Sequence, residues 1–242
     1  MCRMILAPDG IPGERLIEPF LRMAQGRNAR HELYLRPGHF QHPDGWGAVI
    51  EDGGRLLRVR STSPCWEGKA LETLAGRRVF LLHARRASVG GLGIQNVHPF
   101  ERDARGRRWF FCHNGTIRDP LPRPSGAEGD TDSEAYFGVL LDALGRPAAA
   151  EALALAVSSL EDYTALNAFL LSKAAAFVIC AWRDLETYYT LHACDTPDGP
   201  VFSSEPLAEF GTSWQALACG EIRRVDRSSG HVSVTHAAKR GV

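Results

Sequence analysis

Cys2 lies directly behind the initiator Met1 and is the first residue of the chain that could act as a nucleophile. A small residue at this position allows the methionine to be removed in the cell, which would leave Cys2 with a free α-amino group. An α-amine titrates at about 7.7–8.0 and a cysteine thiol at about 8.5, so the amine can accept the thiol proton near neutral pH. Position 2 alone is a weak signal, because every protein has some residue there.

Four polar clusters further along the chain could complete a site around this thiol. Each lies next to a short apolar segment, and they are HARRAS at 83–88, NVHPF at 96–100, HNGT at 113–116 and GDTDSE at 129–134. Polar groups that follow buried strands can line one rim of a sheet. Each cluster also has an ordinary interpretation, since an arginine pair is usually solvated, Asn-Gly is usually a turn and Asp at a helix start is usually a cap. Their order along the chain and the presence of Cys2 favour a shared site.

The elements that must position these residues are mostly strands. Short apolar runs rich in β-branched and aromatic residues predict strands at 3–6, 46–50, 56–60, 78–83, 108–113, 166–171, 175–182, 187–192, 200–203, 221–225 and 231–235. Helical patterns cover 19–24, 67–74, 135–144 and 148–160, and TDSE at 131–134 has the form of a capping box. Early strands, two central helices and late strands favour an α+β fold over an alternating βαβ fold.

Composition and charge exclude several classes of function. The chain has 242 residues, 44% of them hydrophobic, with 28 basic and 28 acidic side chains, so no electrostatic footprint for nucleic acid or an anionic membrane is expected. We expect no secretory leader, because the apolar run at 3–6 is short and breaks at the turn formers at 8–10. We expect no membrane span, because no stretch approaches the roughly 18 apolar residues that a span needs.

The six cysteines are scattered without a CxxC pair, which argues against a zinc or iron–sulfur site and against a disulfide framework. The expected location is therefore a reducing cytoplasm. Cys112 and Cys180 lie inside apolar strand-like runs and are expected to be packing residues.

Seven segments run in one order over most of the chain: MCR at 1–3, HPDGWG at 42–47, HARRASVG at 83–90, NVHPF at 96–100, HNGTI at 113–117, GDTDSE at 129–134 and SSEPL at 203–207. On these segments the chain resembles the class II glutamine amidotransferases, a branch of the N-terminal-nucleophile hydrolases, and in particular the stand-alone members that begin Met-Cys-Arg. The resemblance implies a four-layer αββα sandwich of two mainly antiparallel sheets, in a single domain over residues 1–242.

The resemblance also implies a role for each matching residue. Cys2 would attack the γ-amide of glutamine or of a γ-glutamyl compound and form a thioester, while the Asn114 side chain and the Gly115 backbone hold the oxyanion. Glycine at 115 is expected because the backbone must approach the substrate closely. Arg85 would bind the α-carboxylate of the substrate and Asp132 its α-ammonium group. Ser88 and His98 are expected to line the same pocket, and neither a metal nor another cofactor is implied.

Two positions depart from the pattern of the sugar-synthase members of this family. Arg86 replaces their tryptophan and Val89 their histidine, which argues against the substrate-closing loop of those enzymes. No synthase, sugar-isomerase or phosphoribosyl-binding domain is expected to follow, since the resemblance assigns residues 166–242 to the family's own second sheet. Segments 11–41 and 61–70 are the candidates for reading the leaving group.

Three other interpretations stay open at this stage. The chain could be a glutaminase subunit that supplies ammonia to a partner synthase, or a catalytically silent relative that only binds. Retention of Cys2, Arg85, Asn114, Gly115 and Asp132 together argues against a silent relative. A metal enzyme that uses His83, His98 and His113 is weaker, because no clear ligand spacing or carboxylate partner accompanies these histidines.

Overall fold

The fold is an α+β arrangement of two antiparallel sheets, seen here in a computed structural model that describes residues 1–238. The strands are β1 (Cys2–Pro12), β2 (Trp46–Asp52), β3 (Arg55–Ser61), β4 (Arg78–Arg85), β5 (Phe100–Ala104), β6 (Arg107–Asn114), β7 (Asn167–Leu171), β8 (Ala175–Cys180), β9 (His192–Thr196), β10 (Gly199–Ser203), β11 (Gln215–Ala216), β12 (Glu221–Asp226) and β13 (Val232–His236). The α-helices are α1 (Glu14–Ala24), α2 (Asp132–Leu144), α3 (Ala149–Ser158) and α4 (Glu186–Tyr189). Short 3₁₀ turns cover Ala70–Leu74, Ile94–Asn96 and Ala208–Phe210.

The two sheets pack face to face. The first has the strand order β11-β9-β10-β1-β4-β2-β3 and the second β13-β12-β8-β7-β6-β5, so that β1 is the central strand of the first sheet. The core between them is built from the inward side chains of both sheets, among them Met4, Leu6, Phe80, Phe110, Phe169 and Val178. Each such fully buried apolar side chain contributes roughly 1.5–3 kcal/mol.

Helices cover the two outer faces. α2 and α3 pack on the second sheet through a core that includes Phe137, Leu140 and Leu153. α1 packs on the first sheet through Leu16 and Phe20. The expected αββα order of layers is therefore confirmed. Among residues 1–238, no helix is both long and apolar enough to cross a bilayer.

Most predicted elements are confirmed within a few residues, but several differ. The helix predicted at 67–74 is a 3₁₀ turn at Ala70–Leu74, and β5 and β11 were not predicted. Residues 166–242 were expected to form the second sheet, but β9, β10 and β11 pair into the first sheet beside β1.

β1 continues to Pro12 instead of ending at the turn formers, because its register with β4 shifts between Leu6 and Ile11 and the extra residues are absorbed there. The strand predicted at 187–192 is wrong: the chain forms the short helix α4 and then β9. Its Tyr188 and Tyr189 are buried in a cluster with Phe40 and Ala165, so tertiary packing overrides their strand propensity.

The predicted packing role of Cys112 and Cys180 is confirmed, since both are fully buried. All six cysteines are free thiols. The expectation of one domain over residues 1–242 extends past residue 238, beyond the described residues, and stays a prediction.

Arg3, which follows Cys2 on β1, is buried in an ion pair. Its guanidinium lies 2.6 Å from the Glu205 carboxylate, donates to the Tyr188 carbonyl oxygen at 2.9 Å and lies 3.9 Å from the centre of the Tyr188 ring. The pair joins the first and last of the seven matching segments, MCR and SSEPL. It anchors the start of the chain, because a buried charge is tolerated only with its counter-ion.

We predict that Glu205→Ala lowers the free energy of unfolding by about 3–5 kcal/mol, because it leaves the Arg3 charge buried and unpaired. The double variant Arg3→Met/Glu205→Leu should recover most of this loss. Urea unfolding monitored by circular dichroism measures both.

The matched control is Asp198→Ala, which breaks the partly exposed Arg15–Asp198 pair and should cost at most about 1 kcal/mol. Equal losses for Glu205→Ala and Asp198→Ala would show that the buried pair has no anchoring role.

Candidate active site

Cys2 lies at the start of the central strand β1, where it is paired with Arg85 at the end of β4. Its N–H donates to the Asn114 side-chain oxygen Oδ1 at 2.6 Å, and its carbonyl oxygen accepts from the Tyr188 hydroxyl at 3.2 Å. Because β1 belongs to the first sheet and Asn114 ends β6 in the second, the first bond crosses between the sheets. The thiol residue is only 6% exposed and is held on both sides of its backbone.

Asn114 has one amide atom bound and one without a partner. Since Oδ1 accepts from the Cys2 N–H, the orientation of the amide is set, and Nδ2 is the atom left over. Nδ2 is buried and makes no hydrogen bond to residues 1–238. An unpaired buried donor costs about 1–3 kcal/mol. A donor of this kind beside a thiol is suited to a negative oxygen that develops during reaction.

Gly115 directly follows Asn114 and lines a small cavity that Cys2 also lines. A Cβ atom here would lie 1.8 Å from the Ala165 carbonyl oxygen and 2.9 Å from His113 Nε2. Packing against the Ala165 backbone therefore requires glycine at 115. This is a different reason from the substrate approach expected from the sequence.

Arg85 is 3% exposed and offers one free end of its guanidinium group. Nη2 donates to the Val89 carbonyl oxygen at 3.1 Å, whereas Nη1 is buried with no partner among the described residues. Asp44, from the HPDGWG segment, fixes the loop that follows: its N–H donates to the Arg85 carbonyl oxygen at 2.9 Å and its carboxylate accepts from the Ala87 N–H at 2.8 Å. A fixed arginine with a free N–H edge can bind a carboxylate.

Asp132 is the first residue of α2 and is not its cap. Thr131 is the N-cap, with its hydroxyl accepting from the Glu134 N–H at 3.2 Å. Asp132 Oδ2 accepts from the Ile117 N–H at 2.7 Å, and Oδ1 has no hydrogen-bond partner among residues 1–238. One carboxylate oxygen thus orients the side chain and the other is available to a ligand.

The predicted capping box is half formed. The Glu134 carboxylate does not return to the cap residue but accepts from the N–H groups of Glu128 and Gly129 and pairs with Arg102 at 3.1 Å. Asn96, from the NVHPF segment, donates to the Asp130 carboxylate at 2.6 Å and accepts from the Asp130 N–H at 3.0 Å. These bonds hold the loop before α2 and thereby the position of Asp132.

A cavity of about 20 Å³ brings the candidate residues together. Six of the seven predicted site residues line it: Cys2, Arg85, Ser88, His98, Gly115 and Asp132. The seventh, Asn114, is bonded to Cys2. Ser88 is exposed and shares a hydrogen bond of 2.9 Å with the Thr116 hydroxyl. Met1 also lines the cavity, and its amino group donates to the Arg86 carbonyl oxygen at 2.9 Å.

Two buried histidines, His98 and His113, line this cavity, and a third, His83, lies behind His98. His113 is fully used: Nε2 donates to the Ala165 carbonyl oxygen at 3.1 Å, so Nδ1 accepts from the Ser133 hydroxyl at 2.8 Å. The rings of His83 and His98 lie 4.3 Å apart. Burial lowers the pKa of all three imidazoles, to about 3 for His83 and well below the usual value for His98. They are therefore neutral at pH 7.

The metal interpretation of these histidines finds no support, because both nitrogens of His113 are already bonded to protein. No group of three or more His, Cys, Asp or Glu side chains suited to a metal ion was found in the part of the chain from 1 to 238.

Arg86 lines the cavity, and its side chain is held by contacts within the protein. Its Nη1 donates to the Gln41 carbonyl oxygen at 2.9 Å and its guanidinium lies 4.2 Å from the centre of the Phe40 ring. The residues of the two segments proposed to contact the leaving group, 11–41 and 61–70, are divided between two clusters in the structure. Leu33 and Phe40 pack beside Met1, whereas Ile11, Leu16 and Cys65 belong to the outer core of the first sheet.

Sequence reasoning missed three residues that hold the site. Tyr188 bonds the Cys2 carbonyl oxygen, and Arg3 and Glu205 form the ion pair next to it. Arg3 and Glu205 were within matching segments, which was a usable signal. Tyr188 had none, because its segment had the pattern of a strand.

Comparison with known proteins gives a consistent result. The family model of the class II glutamine amidotransferases matches residues 33–189, more than half of the chain. The Escherichia coli (strain K12) protein named "Putative glutamine amidotransferase YafJ" is 24% identical over 216 residues, which cover 75% of this chain and 84% of that protein.

Solved structures share the fold. Glutamine phosphoribosylpyrophosphate amidotransferase from B. subtilis aligns with a TM-score of 0.66 and 14% identity over 99% of this chain, which spans only 50% of that chain. A "predicted glutamine amidotransferase" from Pseudomonas aeruginosa PA01 aligns with a TM-score of 0.59 and 22% identity, covering 96% of this chain and 94% of that one. These likenesses confirm the N-terminal-nucleophile hydrolase fold.

We predict that acid destabilises the protein through the buried histidines. The folded pKa of His83, about 3, lies below the value near 6.5 of an unfolded histidine, so between these pH values the unfolded chain binds a proton that the folded chain does not. The stability that neutral His83 contributes is therefore fully present above about pH 6.5 and is lost progressively as the pH falls towards its folded pKa of about 3. His83 alone accounts for about 2 kcal/mol between pH 7 and pH 5.

His83→Gln should remove that share of the pH dependence, measured as the difference between urea-unfolding free energies at pH 7 and pH 5. The control His231→Gln changes an exposed histidine and should leave the difference as it is. An unchanged difference in His83→Gln would contradict the assignment.

Proposed function

The chain belongs to the class II glutamine amidotransferases, and from this membership we propose that it hydrolyses the γ-amide of glutamine or of a γ-glutamyl compound to glutamate, with Cys2 as nucleophile. Family membership supports chemistry on glutamine amides in general. The particular substrate and the covalent route are the proposal.

The proposed reaction begins once Met1 has been removed. With Met1 attached, the nitrogen of Cys2 is an amide and cannot accept a proton. With Met1 removed, the α-amine accepts the thiol proton as sulfur attacks the γ-carbonyl carbon, and the proton passes to the departing nitrogen, which leaves as ammonia or an amine. Water then attacks the thioester, the C–S bond breaks, and glutamate and the free thiol are released.

The single observation that supports this proposal is the arrangement of Asn114. Its Oδ1 accepts from the Cys2 nitrogen at 2.6 Å, and its Nδ2 is a buried donor with no partner among residues 1–238. The residue that positions the nucleophile thus also presents a donor beside it. The negative oxygen of the tetrahedral intermediate is a suitable partner for that donor.

The head group of the substrate would be recognised by two opposite charges. Arg85 has an unpaired buried Nη1 that suits the α-carboxylate, and Asp132 has a carboxylate oxygen available for the α-ammonium group. Both line the cavity that contains Cys2. This arrangement selects a free glutamyl head group. It does not define the group carried by the γ-nitrogen. Removal of Met1, which lines the same cavity, would enlarge it for the substrate.

We expect protein that begins at Cys2, verified by mass spectrometry, to release glutamate from glutamine or from a member of a γ-glutamyl panel. Cys2→Ala should abolish this release, because no thioester can form. Cys219→Ala, which changes a half-buried cysteine elsewhere in the chain, is the matched control and should keep its activity.

Protein that retains Met1 should be inactive on the same panel. Glutamate release by Cys2→Ala at the rate of the parent protein would exclude Cys2 as the nucleophile.

Asn114→Asp tests the oxyanion donor separately. The carboxylate keeps an acceptor for the Cys2 nitrogen but replaces the Nδ2 donor by an oxygen. We expect kcat to fall at least about 10²–10³-fold, with a small change in KM. Steady-state kinetics on the best substrate of the panel measures this, and a kcat within a few-fold of the parent value would exclude the role.

A further inference from the structure

A second cavity, of about 610 Å³, lies at the other end of the sandwich. Its walls come from the turn between β2 and β3, the turn between β5 and β6, the turn between β7 and β8, and Arg227 after β12. Asn114 is at one end of β6 and Arg107 at the other, and the eight residues of that strand span roughly 25 Å. The cavity is therefore separate from the candidate active site.

The size and lining of this cavity suit a small organic molecule. Ligand sites usually measure about 300–1,000 Å³ and combine an apolar wall with a few polar groups. Leu56 and Phe110 line the cavity, and both also contact the core between the two sheets. Phe110 is only 1% exposed, so the accessible apolar surface of the cavity comes from the half-buried Leu56 and the exposed Ala174.

The rim is strongly basic in a chain whose overall charge is balanced. Arginine and lysine provide five lining residues, and Glu51 is the one acidic lining residue: Arg55, Arg107, Arg108, Lys173 and Arg227 are the cations. A cleft lined by one sign of charge concentrates ligands of the opposite sign.

Two of the five cations are already engaged by the protein. Arg108 pairs with Glu101 at 3.2 Å and Asp103 at 3.4 Å. Arg227 donates to the Ser172 carbonyl oxygen at 2.7 Å. Arg55, Arg107 and Lys173 have no carboxylate within ion-pair distance among residues 1–238. Three unpaired cations beside apolar side chains are complementary to a ligand with several negative charges and an apolar part.

We propose that this distal cavity binds a nucleoside polyphosphate, with its base against Leu56 and Ala174 and its phosphates on Arg55, Arg107 and Lys173. Guanidinium and ammonium groups form charge-assisted hydrogen bonds with phosphate oxygens, and apolar side chains in a pocket accept the apolar part of a ligand. The site is independent of the proposed hydrolase reaction and does not require Met1 to be removed.

Isothermal titration calorimetry of the full chain with ATP, inorganic triphosphate and adenosine tests the proposal. ATP should bind, and both triphosphate and adenosine should bind more weakly, because each provides only one of the two parts. Arg55→Gln/Lys173→Gln should weaken ATP binding at least about tenfold, and its thermal unfolding midpoint verifies that it is folded.

The matched control is Arg36→Gln, which removes an exposed arginine from the loop near Met1 and should leave ATP binding unchanged. Absence of ATP binding, equal weakening in both variants, or triphosphate binding as tight as that of ATP would each overturn the proposal.

Discussion

The hydrogen bond from the Cys2 nitrogen to Asn114 Oδ1 is the constraint around which the site is built. It joins the central strand of one sheet to a strand of the other, at the end of the sandwich where both strands reach the cavity. A bond of this kind positions two chemical groups at once: the thiol residue and the amide donor beside it. The bond depends on the packing of the sheets, because that packing brings the start of β1 next to the end of β6.

A shell of buried polar groups makes this constraint rigid. The Arg3–Glu205 pair and the Tyr188 hydroxyl hold the chain on either side of Cys2, and Asp44 holds the loop that carries Arg85. The histidines near the cavity are kept neutral by burial, so they add shape without charge. Arg85 and Asp132 therefore have no imidazolium charge beside them. Buried polar groups that are mutually satisfied favour one arrangement of the core.

The polar chemistry of the molecule lies at the two open ends of the sandwich. Helices cover the outer faces of both sheets, and the faces between the sheets form a tightly packed core. Strand ends and turns therefore carry the groups of both cavities. At one end they form the small cavity around Cys2, and at the other the basic cavity around Arg55, Arg107 and Lys173. The strand between Arg107 and Asn114 connects the two.

Local sequence patterns were sufficient for the class of the fold, for most strands and for the identity of the nucleophile candidate. Alternating and continuous apolar runs indicate which side of an element is buried, and the segments around Cys2, Arg85, Asn114 and Asp132 preserve the residue types that the chemistry needs. The brief helix at Tyr188 and the extension of β1 to Pro12 were not predictable in this way, because packing and register decided them.

The tertiary structure alone decided which distant residues meet. Arg3 pairs with Glu205, Tyr188 reaches the Cys2 carbonyl oxygen, and the Ala165 backbone leaves no room for a side chain at Gly115. The basic cavity likewise collects residues from turns that are far apart in the chain. These contacts follow from the order and register of strands in two sheets, and that order is set by the summed packing of the whole core, which no local pattern contains.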